Sequence, residues 1–96
     1  MRKNTYAVVR TYSAGAWAGI VESQEGKQVV MRNARRLWYW SGAASLSQLA
    51  MEGVKDPANC KFPCPVEQVI LTEAIEIIPA TQAARASVEA VPVWQK

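Results

Sequence analysis

Ninety-six residues, 10.6 kDa in all, accommodate one compact domain, 1–96, and no second core. With 50% hydrophobic and 20% charged residues, the composition excludes a disordered chain and a collagen-like fibre. The formal net charge of +3 is uneven: residues 1–40 carry seven Lys/Arg against two acids, and residues 41–96 carry four against six.

No apolar run approaches the roughly 18 residues of a spanning helix, so no contact with a membrane is expected. The start, Met1-Arg2-Lys3-Asn4, leads into an alternating pattern rather than the continuous apolar stretch of a secretion signal. The only cysteines, Cys60 and Cys64, do not amount to a disulfide framework, and a cytoplasmic protein with reduced thiols is expected. A chain of this length buries only roughly 60–65% of its unfolded surface. Four Trp and three Tyr exceed what such a core covers, which predicts a homo-oligomer.

In chain order, Thr5–Tyr12 is rich in β-branched and aromatic residues and reads as a first strand. Ser13-Ala14-Gly15 is a turn, Trp17–Glu22 the return strand, and Gln24-Glu25-Gly26 a second turn. Lys27–Arg32 reads as a third strand and Arg35–Trp40 as a fourth, with Leu37 and Tyr39 on the face opposite Trp38 and Trp40. Ser45-Leu46-Ser47-Gln48 has the form of a capping box opening a two-turn helix that Gly53 ends. Pro57, Pro63 and Pro65 make Val54–Pro65 a loop. Val66–Ile78 reads as one long strand bulged near Thr72-Glu73. Thr81 caps a last helix through Ala90 whose stripe is Ala84, Val88 and Val91, and the Val93-Trp94 tail docks on the body. The expected fold is therefore α+β, an antiparallel meander of about five strands with two short helices on one face; a small barrel-like sheet decorated by the helices is the competing architecture.

The sequence holds no His, the commonest general base and metal ligand, and no Gly-rich phosphate loop. Two cysteines do not complete a zinc site, and Glu73 and Glu76 do not form an acid–base pair by themselves. An enzyme, a cofactor and a metal are not expected. The strongest local feature is Arg32-Asn33-Ala34-Arg35-Arg36-Leu37-Trp38-Tyr39-Trp40. Guanidiniums grip phosphate oxygens and aromatic faces stack on bases, so Arg32, Arg35, Arg36, Trp38 and Trp40 are candidate ligand contacts, extended by Arg10, Tyr12 and Trp17. The competing reading packs the tryptophans into the body and leaves the arginines solvated at a strand edge.

The stretch Asn33–Ala50, with its Trp38-Tyr39-Trp40-x-Gly42-Ala43-x-Ser45-Leu46 core, together with Arg10–Gly15 and Glu76–Pro79, resembles a family of small bacteriophage and prophage proteins of uncharacterised function. That resemblance implies a viral product made in the host cytoplasm and carries no catalytic residues with it. In size and chemistry the chain is similar to viral sponge proteins that sequester nucleotide-derived immune signals in oligomeric pockets. The functional expectation is a non-enzymatic, anti-defence binding protein for a small phosphate-bearing nucleotide of the cyclic oligonucleotide or cyclic ADP-ribose type. A single-stranded nucleic-acid binder and an inhibitor docking on a host protein are the alternatives. A basic half of +5 is modest for nucleic acid and ample for one or two phosphates.

Overall fold

The computed structural model describes residues 4–95, and the charged start at 1–3 lies outside them. Five strands, β1 (Thr5–Thr11), β2 (Ala16–Glu25), β3 (Gln28–Arg36), β4 (Val66–Leu71) and β5 (Ala74–Pro79), form one antiparallel sheet in the order β4-β3-β2-β1-β5. Two helices, α1 (Leu46–Glu52) and α2 (Gln82–Ala90), and a 3-10 turn at Pro57–Asn59 complete the chain.

The first meander is three-stranded, a correction to the four strands read from the sequence. Asn33 resembles a strand end, yet the chain passes through it at φ 50° and continues as β3 to Arg36. Ala18 pairs with Arg35 and Ile20 with Arg32, so Asn33 and Ala34 face the single residue Gly19 in a bulge. Gly19 is required by that close approach: a Cβ there would lie 2.7 Å from the Cα of Ala34. Residues 37–40 then leave the sheet, and of them Tyr39 alone makes a bridge, to Lys61.

The long strand expected over Val66–Ile78 is also corrected, because it is two strands on opposite edges of the sheet. Five flat strands would place those edges about 19 Å apart at about 4.8 Å per step. The two-residue link Thr72-Glu73 spans at most about 11 Å from Leu71 to Ala74. The sheet must curl, and backbone bonds from Ala74 N–H to the Lys27 carbonyl (2.9 Å) and from Tyr12 N–H to the Glu73 carbonyl (3.0 Å) hold the curled end. The meander thus becomes a partly closed barrel.

Closure gives two cores. Inside the curl, Ala7, Val9, Trp17, Val21, Val29, Met31, Ala34 and Leu71 pack together. On the outer face of β1 and β2, Tyr6, Val8, Ala16, Ala18 and Ile20 are covered by Leu49, Ala50 and Val88 of the helices and by Leu37 and Phe62. Near-continuous burial along β1 follows, both of its faces being covered. The helices are capped as their sequences direct: Ser45 Oγ accepts from Gln48 N–H at 3.1 Å, and Thr81 Oγ1 from Ala84 N–H at 3.0 Å. Gln48 Oε1 reaches back to the amide of Ala44 rather than to that of Ser45. Gly53, at φ 78°, sits against Ser87, where α1 ends on α2.

One side chain joins sheet, helix and tail. Arg35 is 4% exposed, and its five N–H groups are directed at five backbone carbonyls. Nε donates to Pro63 (3.2 Å), Nη1 to Val88 and Val91 (2.9 and 2.8 Å), and Nη2 to Phe62 and Pro92 (2.8 and 3.4 Å). Burial pulls its pKa below the ordinary arginine value, partly countered by Tyr6 and Cys64. The Arg35→Ala variant, which takes a donor from five carbonyls and leaves those of Pro63, Val91 and Pro92 without the bond Arg35 supplies, is expected to lose about 3–5 kcal/mol of stability in urea denaturation. Arg36→Ala, which removes one carbonyl bond and a ring contact at a partly exposed site, is expected to lose about 1 kcal/mol.

Candidate functional site

The arginine run does not converge on one pocket. Arg35 is committed to the fold as described, and no N–H of its guanidinium is left for an anion. Alternation sends Arg36 to the other face, where its guanidinium lies 4.3 Å from the centroid of the Trp17 ring and Nη1 donates to the Ala14 carbonyl at 2.6 Å. Trp17 itself is 6% exposed, with its indole N–H on the same carbonyl at 3.1 Å, so its role is in the barrel interior rather than in base stacking. Arg32 reaches the Asn4 side chain at 3.3 Å. Arg10 pairs with Glu76 at 3.2 Å, an exposed ion pair beside the start of α1.

The aromatics divide likewise. Trp40 is half-buried against the helix-side core, whereas Trp38 is 63% exposed. Tyr12 is also exposed, beside Lys27, Glu73 and Ile75 at the curled end of the barrel. Of the eight candidates taken from the sequence, Trp17 and Arg36 meet directly, and the others lie in separate surroundings.

A different set of residues does come together. Tyr39 and Lys61 exchange two backbone hydrogen bonds (3.3 and 2.7 Å), Phe62 bridges to Val93, and Trp94 N–H donates to the Phe62 carbonyl at 3.0 Å. These pairings hold three exposed side chains in place. Lys61 Nζ lies 5.9 Å from the Tyr39 ring centroid and 5.7 Å from that of Trp94. The rings are 52% and 37% exposed, and Lys61 makes no ion pair among the described residues. A surface ammonium with two rings offers electrostatic attraction to an anion and apolar faces to a planar group. Sequence reasoning missed this site because Lys61 sits in the proline loop and Trp94 in the tail. The expectation that Val93-Trp94 docks on the body was the available signal.

A cleft of about 330 Å³ opens beside the tail, lined by Tyr6, Asn33, Arg35, Pro65, Glu89, Val91 and Val93. Burial, reinforced by Glu89 and opposed by Arg85 and Arg35, pushes the Tyr6 phenol up to about 12 from 10.0. Cys60 is buried and Cys64 exposed, both as free thiols. Among the described residues no group of three His, Cys, Asp or Glu is placed to hold a metal ion, and no helix is long and apolar enough to cross a membrane.

The Tyr6 shift has a definite sign. The folded phenol holds its proton more tightly than the unfolded one, so above pH 10 the unfolded state binds fewer protons and stability falls as pH rises towards 12. Denaturation followed between pH 9 and pH 12 is expected to show that decline, and Tyr6→Phe to flatten it.

Fold and surface together define a partly closed antiparallel barrel with two helices on its outer face and a cationic aromatic patch beside its C-terminal tail. Residues 4–88 match the family described as "Domain of unknown function (DUF6948)", and the chain belongs to that family. Comparison with curated proteins and with solved structures returns no match.

Proposed function

We propose that this protein is a non-enzymatic binding protein that captures a phosphate-bearing nucleotide-type ligand on the Tyr39–Lys61–Trp94 surface. The observation that carries the reading is the position of Lys61 Nζ, within 6 Å of two exposed rings and without an acidic partner among the described residues. Ammonium for phosphate and ring for base is the pairing such ligands require. The absence of His from the sequence favours capture over turnover. The phage resemblance of Trp38–Leu46 supplies a setting, in which the ligand is a nucleotide immune signal sequestered in an infected host's cytoplasm.

The test is a thermal-shift screen against cyclic dinucleotides, cyclic ADP-ribose isomers and short oligonucleotides. A ligand present at a hundred times its Kd is expected to add about 2.7 kcal/mol to stability. Lys61→Ala is expected to weaken binding by about 1–2 kcal/mol while the unliganded melting temperature stays near wild type. An unchanged melting temperature with every ligand, combined with recovery of a host protein by pull-down, points instead to the docking inhibitor.

Homo-oligomerisation belongs to the same proposal. As the ends of the strand order, β4 and β5 each have one edge without a sheet partner among the described residues, and Ile70 on β4 and Ile75 on β5 are 55% and 50% exposed. Apolar side chains along open edges favour strand addition by another copy. Light scattering is expected to give a multiple of 10.6 kDa, and a monomer mass at micromolar concentration rejects the assembly.

A further inference from the structure

We infer that the Tyr39–Lys61–Trp94 surface recognises a dinucleotide unit: two bases, one on each ring, joined by a single phosphodiester held by the Lys61 ammonium. This rests on the nucleotide reading above and narrows it.

The number of rings sets the number of bases. Both ring centroids lie within 6 Å of one Nζ, which limits their separation to about 12 Å. Each ring is partly exposed, so each retains surface on which a base can stack. Neither is carried on a freely moving segment. The Tyr39–Lys61 bridge fixes one ring against the ammonium, and the Trp94 bond to Phe62 fixes the other one residue along the same segment. A platform whose parts are positioned before binding loses little entropy when a ligand arrives.

The cation held against the two rings sets the charge of the linking group. Arg35, whose Nη2 grips the carbonyl of the next residue, Phe62, has every donor on a backbone carbonyl. Arg10 and Arg85 are paired with Glu76 and Glu89. Arg36 is stacked on Trp17, and Arg32 is bonded to Asn4. Lys27 lines a different cleft, with Tyr12, Glu73 and Ile75. Among the described residues, Lys61 is the cation held against both rings. One positive charge matches a phosphodiester, which carries one negative charge, better than a terminal phosphate or triphosphate, which carries two or more. Two stacking rings around one unit of charge fit two bases around one phosphodiester.

A phosphodiester between two bases occurs both in a cyclic dinucleotide and in a linear strand, and the probes separate them. Binding is measured by quenching of tryptophan fluorescence with AMP, the linear dinucleotide ApA, cyclic di-AMP and oligo(A) of ten nucleotides. ApA is expected to bind about tenfold more tightly than AMP, the second stacked base accounting for the difference. Tyr39→Ala and Trp94→Ala are each expected to reduce ApA to the affinity of AMP. Trp94→Phe, which keeps a ring, is expected to preserve the advantage and so to distinguish stacking from a structural defect in the tail. Cyclic di-AMP exceeding ApA assigns the unit to a cyclic signal; oligo(A) exceeding ApA, with affinity falling steeply in salt, assigns it to a strand. Equal binding of AMP and ApA, or an ApA advantage that survives both alanine variants, overturns the dinucleotide assignment and leaves the nucleotide reading standing. No binding by any of the four probes overturns both.

Discussion

The fold and its surface depend on the carbonyl oxygens that Arg35 collects. Pro63, Pro65 and Pro92 put two irregular stretches of chain beside the end of α2, where the last helical carbonyls have no partner within the helix. Backbone amides reach two of these acceptors, Val91 N–H that of Val88 and Trp94 N–H that of Phe62, and leave the rest, because proline supplies no amide and the chain around it is not in a sheet. A guanidinium brings five donors in one plane, enough for all five carbonyls, and its charge favours the negative end of α2. Lysine has three donors and no fork, so the geometry selects arginine. The position of Arg35 is in turn set by its pairing with Ala18 in the middle of the sheet. Sheet, loop, helix and tail are thereby referred to one point.

Curling is the second constraint, and it explains how so short a chain maintains two cores. A flat sheet of this size buries one face; β1 and β2 bury both, because the short link between β4 and β5 draws the sheet edges together. The bulge at Asn33 and Ala34 opposite Gly19 gives β3 the bend that closure needs, at the one position where the missing Cβ lets the backbones meet. A second register shift between Val21 and Ser23 bends the far half of the same hairpin. Its tip at Lys27 then reaches Ala74.

How much of this was legible follows from how local each signal is. Both helix starts, the first strand and the Gly53 end are written within four or five residues and are found where the sequence places them, whereas β2 runs on to Glu25 through the turn expected at Gln24-Glu25-Gly26. Asn33 misleads because its left-handed backbone marks a strand end in isolation, and only the glycine across the sheet turns it into a bulge. Val66–Ile78 misleads because its composition describes strand on both sides of Thr72-Glu73 without stating that each half pairs with a different edge. The arginines pose the same difficulty for the site. Three guanidiniums in five residues look like a phosphate grip, but the acceptors for Arg35 come from segments 27 to 57 residues away, which no local pattern reveals. Trp38 and Trp40, placed on one face by the strand reading of Arg35–Trp40, are separated because residues 37–40 leave the sheet, one ring exposed and the other against the core.

These two levels meet at the tail. The family match includes Tyr39 and Lys61 and ends at Val88, so the second ring, Trp94, is supplied by a segment beyond the matched residues. That segment is held through Val91 and Pro92, both acceptors for Arg35, and through the Trp94 amide on Phe62. The Phe62 carbonyl accepts from both Trp94 and Arg35, so one oxygen couples the buried guanidinium to the exposed ring. Arg35 therefore fixes the register between the Lys61–Phe62 segment and the tail, and with it the distance between the ammonium and the second ring. The sequence concentrates positive charge in its first forty residues, and the fold uses Arg35, Arg36 and Arg10 internally or in pairs. The cation held beside the Tyr39 and Trp94 rings is a lysine from the other half.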